Sequence, residues 1–187
     1  MSSDRPFERH DPGLYRATLA YRERSALPWD VNATPAEAVL MLDTTVYIDA
    51  QKGKLPQGLA ARIATAEVLH SAVALGEIAA NLGLLDPDHA GTPGVSQVMH
   101  ETLARADAKR TVAPSSEAWL EASVLAGVLA RTQGLPKDAR RKLLNDALIF
   151  LSAHESGAAL VSRNIKDMDL LLQLRPDGQV LLYDQTA

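Results

Sequence analysis

Four acidic residues that are far apart in the sequence could do metal-dependent chemistry together: Asp43, Glu77, Asp146 and Asp167. Three of them follow apolar runs long enough to form buried strands, and Asp146 lies within a predicted helix. The carboxyl ends of parallel strands share one edge of a sheet, which is where open α/β sheets bind their ligands. We therefore expect the four side chains to converge at that edge.

A cluster of carboxylates has restricted chemistry, because the like charges repel one another until the site binds protons or cations. Oxygen ligands of this kind suit Mg²⁺ or Mn²⁺. A divalent ion held there activates water and stabilises charge on a phosphate oxygen, which is metal-assisted phosphodiester hydrolysis. Taken singly, each acid is better explained by a role at a helix start, and Asp43 followed by Thr44 suits a helix cap.

The elements that must position these acids alternate between strand and helix. Short apolar runs predict strands at 39–42, 68–73, 110–113, 158–162 and 180–183. Helical patterns occupy 57–67, 75–85, 95–108, 114–134, 137–154 and 168–174. This alternation predicts an α/β fold with a parallel sheet covered on both faces by helices.

Residues 1–38 differ from the rest and are interpreted as an N-terminal extension to a domain at 39–187. They hold four of the eight aromatic residues and several prolines, and Leu14, Ala17 and Tyr21 fall at helical spacing. A disordered tail is usually poorer in aromatic residues. We therefore expect the extension to be partly helical, with a short amphipathic helix between Pro12 and Pro28, or irregular, and to pack on the domain or on a partner.

Composition excludes several other classes of protein. The 187 residues suit one domain, and the net charge of −4 gives no general attraction to nucleic acid. The absence of cysteine excludes disulfides and thiolate metal sites, and the five histidines lack zinc-site spacing. No apolar run approaches the ~20 residues of a membrane span, and there is no secretory signal, so we expect a cytoplasmic protein. Neither G-x-S-x-G nor G-x-G-x-x-G occurs.

Four short motifs together resemble those of PIN-domain ribonucleases, especially the VapC-type toxins. Residues 42–49 (LDTTVYID) resemble the opening motif, and residues 71–78 (SAVALGEI) are similar to the second. Residues 145–149 (NDALI) and 157–168 (GAALVSRNIKDM) resemble the third and fourth, and 180–184 (VLLYD) resemble the last strand. The similarity extends over about residues 39–184.

The resemblance implies a PIN-like fold and an endoribonuclease that depends on Mg²⁺ or Mn²⁺. Asp43, Glu77 and Asp146 would bind the metal, with Asp167 as the fourth acid. The supporting positions would be Thr44, whose hydroxyl would steady Asp43, together with Ser162 and Asn164. The family also implies a cognate antitoxin, so that the chain would be the toxin of a pair, and a homodimer.

The fourth motif departs from the family pattern, because Met168 stands where an aromatic residue is usual and Asp169 adds another acid. Which of Asn164, Asp167 and Asp169 faces the metal is therefore left open. Asp49 also matches the opening motif, and we interpret it as a solvent-side or helix-capping residue.

Basic residues near these motifs have two interpretations. Arg163 and Lys166 are possible RNA contacts, since phosphate contacts position a substrate, or they belong to a solvated surface. Arg140 is assigned to a solvated face, and Lys142 and Asp146 form an i,i+4 pair.

An apolar surface formed by Leu59, Ile63 and Leu82 is expected to receive a partner or a second copy. Two alternatives to the nuclease remain: a catalytically inactive PIN-like module that binds RNA or protein, and a metal-dependent phosphatase.

Overall fold

Five parallel strands form the centre of the molecule in the computed structural model, which describes residues 9–29 and 38–185. The strands lie in the order β3-β2-β1-β4-β5. They are β1 (Leu40–Leu42), β2 (Val68–Ser71), β3 (Thr111–Val112), β4 (Ala159–Ser162) and β5 (Val180–Leu182). Strands β1, β4 and β5 are buried along their whole length, which explains why they are apolar without alternation. The predicted parallel α/β fold is confirmed.

Seven α-helices connect and cover the strands in the described ranges. They are α1 (Thr44–Gln51), α2 (Gln57–Thr65), α3 (Ala72–Gly83), α4 (Thr92–Arg105), α5 (Ser116–Thr132), α6 (Ala139–Glu155) and α7 (Ile165–Leu174). Helix α6 is central, because it packs against α3, α5 and α7 as well as against β2 and β4. None of the helices in the described ranges is both long and apolar enough to cross a membrane.

Three helices begin earlier than the sequence pattern predicts: α4, which starts at Thr92, and α3 and α7, which carry two of the acids. Helix α3 starts at Ala72 because the Ser71 hydroxyl accepts hydrogen bonds from the backbone N–H groups of Val73 and Ala74. The strand predicted at 68–73 therefore ends at Ser71, and Glu77 lies in the second turn of α3. Helix α7 starts at Ile165, which places Asp167 in its first turn.

The described part of the N-terminal extension packs on the domain and is largely irregular, one of the two expected forms; residues 9–29 contain no α-helix, so the amphipathic helix is wrong. The segment has short 3₁₀ turns at Pro12–Leu14 and Arg24–Ala26. Its carbonyl groups accept hydrogen bonds from domain side chains instead of from a helical ladder. These bonds run from Arg131 to Tyr15 (2.8 Å), from Gln133 to Leu19 (3.3 Å) and from Gln173 to Ala20 (3.0 Å). The rest of the predicted extension, apart from residue 38, lies outside the described residues.

The apolar surface predicted around Leu59 is also wrong, because Leu59 is 1% exposed and belongs to the core. Ile63 and Leu82 are half-buried. The large apolar side chains exposed on the domain are elsewhere: Leu84, Val95, Val98, Trp119 and Leu120.

Candidate active site

Asp43 directly follows β1 and caps α1, so the expected helix cap is present and lies at the carboxyl edge of the sheet. Its Oδ1 atom accepts a 2.7 Å hydrogen bond from the Thr44 backbone N–H. Its Oδ2 atom accepts from the hydroxyls of Thr45 (2.8 Å) and Ser162 (2.6 Å). Burial raises the pKa of Asp43, since the side chain is 2% exposed, and the hydrogen bonds lower it only in part.

Glu77 reaches the same place from α3. Its Oε2 atom accepts a 2.5 Å hydrogen bond from the Thr44 hydroxyl, and its Oε1 atom accepts a 2.8 Å bond from the Asn145 amide. The expectation that the Thr44 hydroxyl steadies Asp43 is therefore wrong in its details. The Thr45 hydroxyl does so, and Thr44 uses its backbone N–H for Asp43 and its hydroxyl for Glu77. Sequence reasoning assigned no role to Thr45 or Asn145.

Asp146 is the most perturbed acid of the group. It lies on α6, it is 5% exposed, and its Oδ2 atom has no hydrogen-bond partner among the described residues. Burial above all, together with the charges of Asp43 and Asp167, raises the pKa of Asp146 to about 8, and Lys142 opposes the shift. The predicted i,i+4 contact is present, with Lys142 Nζ 3.8 Å from Asp146 Oδ2. A carboxyl group that is buried beside other carboxylates is protonated near neutral pH unless a cation stabilises its charge.

The fourth motif places Asp167 and Asn164 at the site and turns Asp169 away from it. Asp167 Oδ2 accepts from Lys142 Nζ at 3.0 Å and from the Asn164 amide at 2.9 Å. Burial acts to raise the pKa of Asp167, but these bonds outweigh it and the net shift is downward. Asp169 is 1% exposed and accepts from the Arg22 backbone N–H (2.8 Å) and guanidinium (2.5 Å). Asp169 therefore anchors the N-terminal segment.

Asp49 is wholly buried, so the predicted solvent-side or capping role is wrong. The Arg163 guanidinium donates to its two oxygens at 2.6 and 3.3 Å, and Tyr183 and Gln185 donate at 2.8 and 2.6 Å. Burial acts to raise the pKa of Asp49, but this set of donors lowers it overall. Asp49 follows the buried Val46 by three residues, and this spacing on α1 was the signal for an inward-facing side chain.

The two predicted RNA contacts have partners within the chain. Arg163 binds Asp49, with 35% of its side chain exposed, and Lys166 Nζ lies 5.8 Å from the centre of the Tyr21 ring. Contact of either residue with RNA stays a prediction.

Three of the four acids, Asp43, Glu77 and Asp146, line a shared cavity of about 310 Å³. Residues that line it come from the ends of β1 and β4 and from α1, α3 and α6: Asp43, Thr44, Thr45, Ile48, Glu77, Lys142, Asp146, Arg163 and Asn164. Asp167 borders it through its bonds to Lys142 and Asn164. The convergence at one sheet edge that the sequence predicts is therefore present.

The donor set suits a hard divalent cation, because it consists of carboxylate oxygens and includes one buried oxygen without a partner. However, no group of three His, Asp or Glu side chains in the described ranges lies close enough together to hold one ion. Glu77 and Asp167 are directed toward Asn145 and Lys142 instead. A complete ligand set therefore requires side-chain movement.

Chains of several solved structures resemble this fold, and three of them are as follows. A chain of VapBC2 from Rickettsia felis bound to a promoter DNA fragment is 19% identical, with a TM-score of 0.53, over 78% of this chain and 99% of its own. A chain of VapBC-1 from nontypeable Haemophilus influenzae is 18% identical, with a TM-score of 0.52, over 77% and 97%. A chain of FitAcB from Neisseria gonorrhoeae is 17% identical, with a TM-score of 0.53, over 76% and 96%.

These matches concern the fold: the chain has the PIN-like α/β fold that its motifs predict. The structures span nearly the full length of the compared chains and leave about a quarter of this chain unmatched. At 17–19% identity the likeness concerns the fold and not the chemistry. No protein-family model and no curated protein matches the chain.

Proposed function

We propose that this protein is a metal-dependent endoribonuclease and the toxin of a toxin–antitoxin pair. The observation that carries the proposal is the cavity into which Asp43 and Asp146 bring buried carboxyl groups of raised pKa, one with an unpartnered oxygen. Burying like charges so close together costs folding free energy, and a bound divalent cation would offset that cost. The fold adds support, because the similar chains come from complexes named VapBC and FitAcB.

Mg²⁺ or Mn²⁺ would be held by Asp43, Glu77 and Asp146, with Asp167 as the fourth acid. When bound, the ion would supply Lewis-acid stabilisation of the phosphate and a more acidic water. The surrounding residues orient these acids. Thr45 and Ser162 fix the Asp43 carboxylate, and Asn145 fixes Glu77.

Cations at the cavity would offset the repulsion between the acidic site and the RNA backbone. Lys142 lies at the site, where it already neutralises part of the charge of Asp167. Lysine and arginine contacts to phosphate supply sequence-independent affinity, which a chain of net charge −4 must obtain locally. The negative charge that faces the substrate would also be smaller with Mg²⁺ bound.

An antitoxin partner is part of the proposal, and so is a homodimer. The antitoxin is supported by the similar chains, which come from complexes named VapBC2, VapBC-1 and FitAcB. Exposed apolar side chains on α4, those of Val95 and Val98, are available to such a partner.

The test is RNA cleavage by purified protein with Mg²⁺, with Mn²⁺ and with EDTA. Asp43→Asn and Asp146→Asn keep side-chain size and remove the charge, and both should lower cleavage at least 100-fold. Asp88→Asn, on an exposed loop, is the matched control and should leave cleavage unchanged.

Cleavage that persists in both variants, or in EDTA, contradicts the proposed site. Binding of RNA by the wild-type chain without cleavage in any metal identifies the PIN-like binding module instead. Turnover of small phosphomonoesters in place of RNA identifies a phosphatase.

A further inference from the structure

A second, larger cavity of about 660 Å³ opens beside the acidic one. It is bordered by α3, by α6 and by the first turn of α5, and it shares Thr44, Glu77 and Lys142 with the acidic cavity. A chain molecule bound at the carboxylates would therefore continue into this cleft. Its volume lies within the range of small-molecule binding pockets, about 300–1,000 Å³.

Trp119 lines this cleft and is 47% exposed. Tryptophan is highly buried on average, and its N–H usually has a hydrogen-bond partner when it is buried. The Trp119 indole has no hydrogen-bond partner among the described residues. The other tryptophan is different: the guanidinium of Arg24 lies 3.6 Å from the Trp29 ring centroid, and Trp29 Nε1 donates to the Arg24 carbonyl at 2.7 Å. An aromatic face is thus available at the cleft.

Polar groups suited to a nucleotide line the same cleft. The exposed Arg141 guanidinium forms no ion pair, and the Asn81 amide forms no hydrogen bond, with any described residue. An unpaired amide can read a base edge, and an unpaired guanidinium can bind phosphate. Two acids line this cleft, Glu77 and Asp138, and only Glu77 also lines the acidic cavity.

We propose that this cleft binds one nucleotide of single-stranded RNA next to the cleaved phosphate, with its base stacked on Trp119. Asn81 contacts the base edge, and Arg141 contacts a backbone phosphate. Bases can stack on a side chain only where they are unpaired, so the substrate is a loop, bulge or single strand. The proposal rests on the proposed nuclease function, because the continuity with the carboxylates is what favours RNA over a protein segment here.

The presence of only two tryptophans allows a direct binding test in EDTA, where no metal-dependent cleavage occurs. In Trp29→Phe the only tryptophan is Trp119, and a hexameric single-stranded RNA should quench its fluorescence in a saturable manner. In Trp119→Phe the only tryptophan is Trp29, and the same RNA should leave its fluorescence unchanged. Equal responses in the two variants would contradict the assignment.

The second measurement is the affinity of the protein for a labelled single-stranded RNA hexamer, obtained by fluorescence anisotropy. Trp119→Ala should weaken binding roughly 5- to 150-fold, as expected for the loss of one stacked base. Trp29→Phe should bind as the wild type does. Arg141→Ala should reduce the slope of log affinity against log salt concentration by about one. Arg140→Ala, which changes another exposed residue of α6, should leave this slope unchanged. Circular dichroism confirms folding of each variant.

The outcomes separate the two proposals. RNA binding that depends on Trp119, without cleavage in any metal, contradicts the nuclease function and supports the nucleotide cleft. Cleavage and RNA affinity that are both unchanged in Trp119→Ala contradict the cleft and leave the nuclease standing. If Trp119→Ala instead impairs only the binding of a protein partner, the cleft is a protein-docking groove and the proposal is wrong.

Discussion

The ammonium group of Lys142 lies 3.0 Å from the Oδ2 atom of Asp167, at the acidic cavity. It also lies 3.8 Å from Asp146 Oδ2, so a side-chain cation stands between two of the proposed metal-binding acids. A lysine in this place competes with a metal ion for the same carboxylate charge. It also stabilises the site when no metal is bound.

The first prediction is that Lys142→Met raises the affinity of the protein for Mn²⁺. Because 67% of the lysine side chain is exposed, the repulsion is that of charges in water, about 1 kcal/mol at about 4 Å. The gain should therefore be about 5-fold by isothermal titration calorimetry. Lys137→Met, exposed just before α6, is the control. Weaker Mn²⁺ binding in Lys142→Met would show that the lysine assists metal binding.

The second prediction separates the two neighbouring acids of α7. Asp167→Asn should weaken Mn²⁺ binding at least 10-fold with little loss of stability, because Asp167 faces the cavity. Asp169→Asn should leave Mn²⁺ binding unchanged and lower the free energy of unfolding by about 2 kcal/mol, since Asp169 is buried against Arg22. Urea denaturation and calorimetry on both variants measure the two quantities. The opposite pattern would assign Asp169 to the metal.

The sequence predicted the positions of the four acids because strand ends in a parallel sheet share an edge. It could not predict their partners. Asp49 binds Arg163 and Tyr183, which follow it by 114 and 134 residues, and no local pattern encodes such a contact. The exchange of roles between Thr44 and Thr45 depends on side-chain directions in the first turn of α1, which the motif alone does not specify.

In the N-terminal segment, apolar residues at helical spacing did not predict the structure, because no α-helix forms there. Leu14 and Tyr21 have helical spacing, yet they are 68% and 52% exposed. The segment gains more from the side chains of α5 and α7, which bind its carbonyl groups, than a short isolated helix would gain from its own bonds. These contacts lie more than 110 residues apart in sequence, so they become visible only in the folded chain.

The third prediction concerns the buried pair of Asp49 and Arg163. Asp49→Asn should lower the free energy of unfolding by about 2 kcal/mol, less than the about 3–5 kcal/mol of a fully buried pair, because a third of Arg163 is exposed. The pKa of Asp49 is lowered in the folded state, so the stabilisation is complete above about pH 4 and is lost as the pH falls below that value. The Asp49→Asn variant should not show this loss of stability at acid pH.

Urea denaturation at neutral and acid pH measures both effects of Asp49→Asn. Asp184→Asn breaks the exposed pair with Arg24 and should change stability by less than about 0.5 kcal/mol. Equal stability of Asp49→Asn and the wild type at neutral pH would contradict the assigned role.

The last prediction is that metal affinity rises with pH because Asp146 must lose a proton to bind a cation. The pKa of Asp146 is raised to about 8 by burial, so the metal-free folded protein binds more protons than the unfolded chain between the ordinary carboxyl pKa and about 8. Its contribution to stability is therefore complete at acid pH and is lost as the pH rises through about 8. Binding of a divalent cation restores the lost stability. The apparent affinity of the protein for the cation should rise up to about tenfold per pH unit below about 8.

Calorimetry in buffers of different ionisation enthalpy should detect close to one proton released per Mg²⁺ bound between about pH 6 and 7. Asp146→Asn has no proton to release, so its weaker binding should vary little with pH. Asp88→Asn should behave as the wild type does. Binding of Mg²⁺ by the wild type that is independent of pH over this range would show that Asp146 is already ionised, or that it does not face the ion. Either result would remove the observation on which the proposed metal site depends.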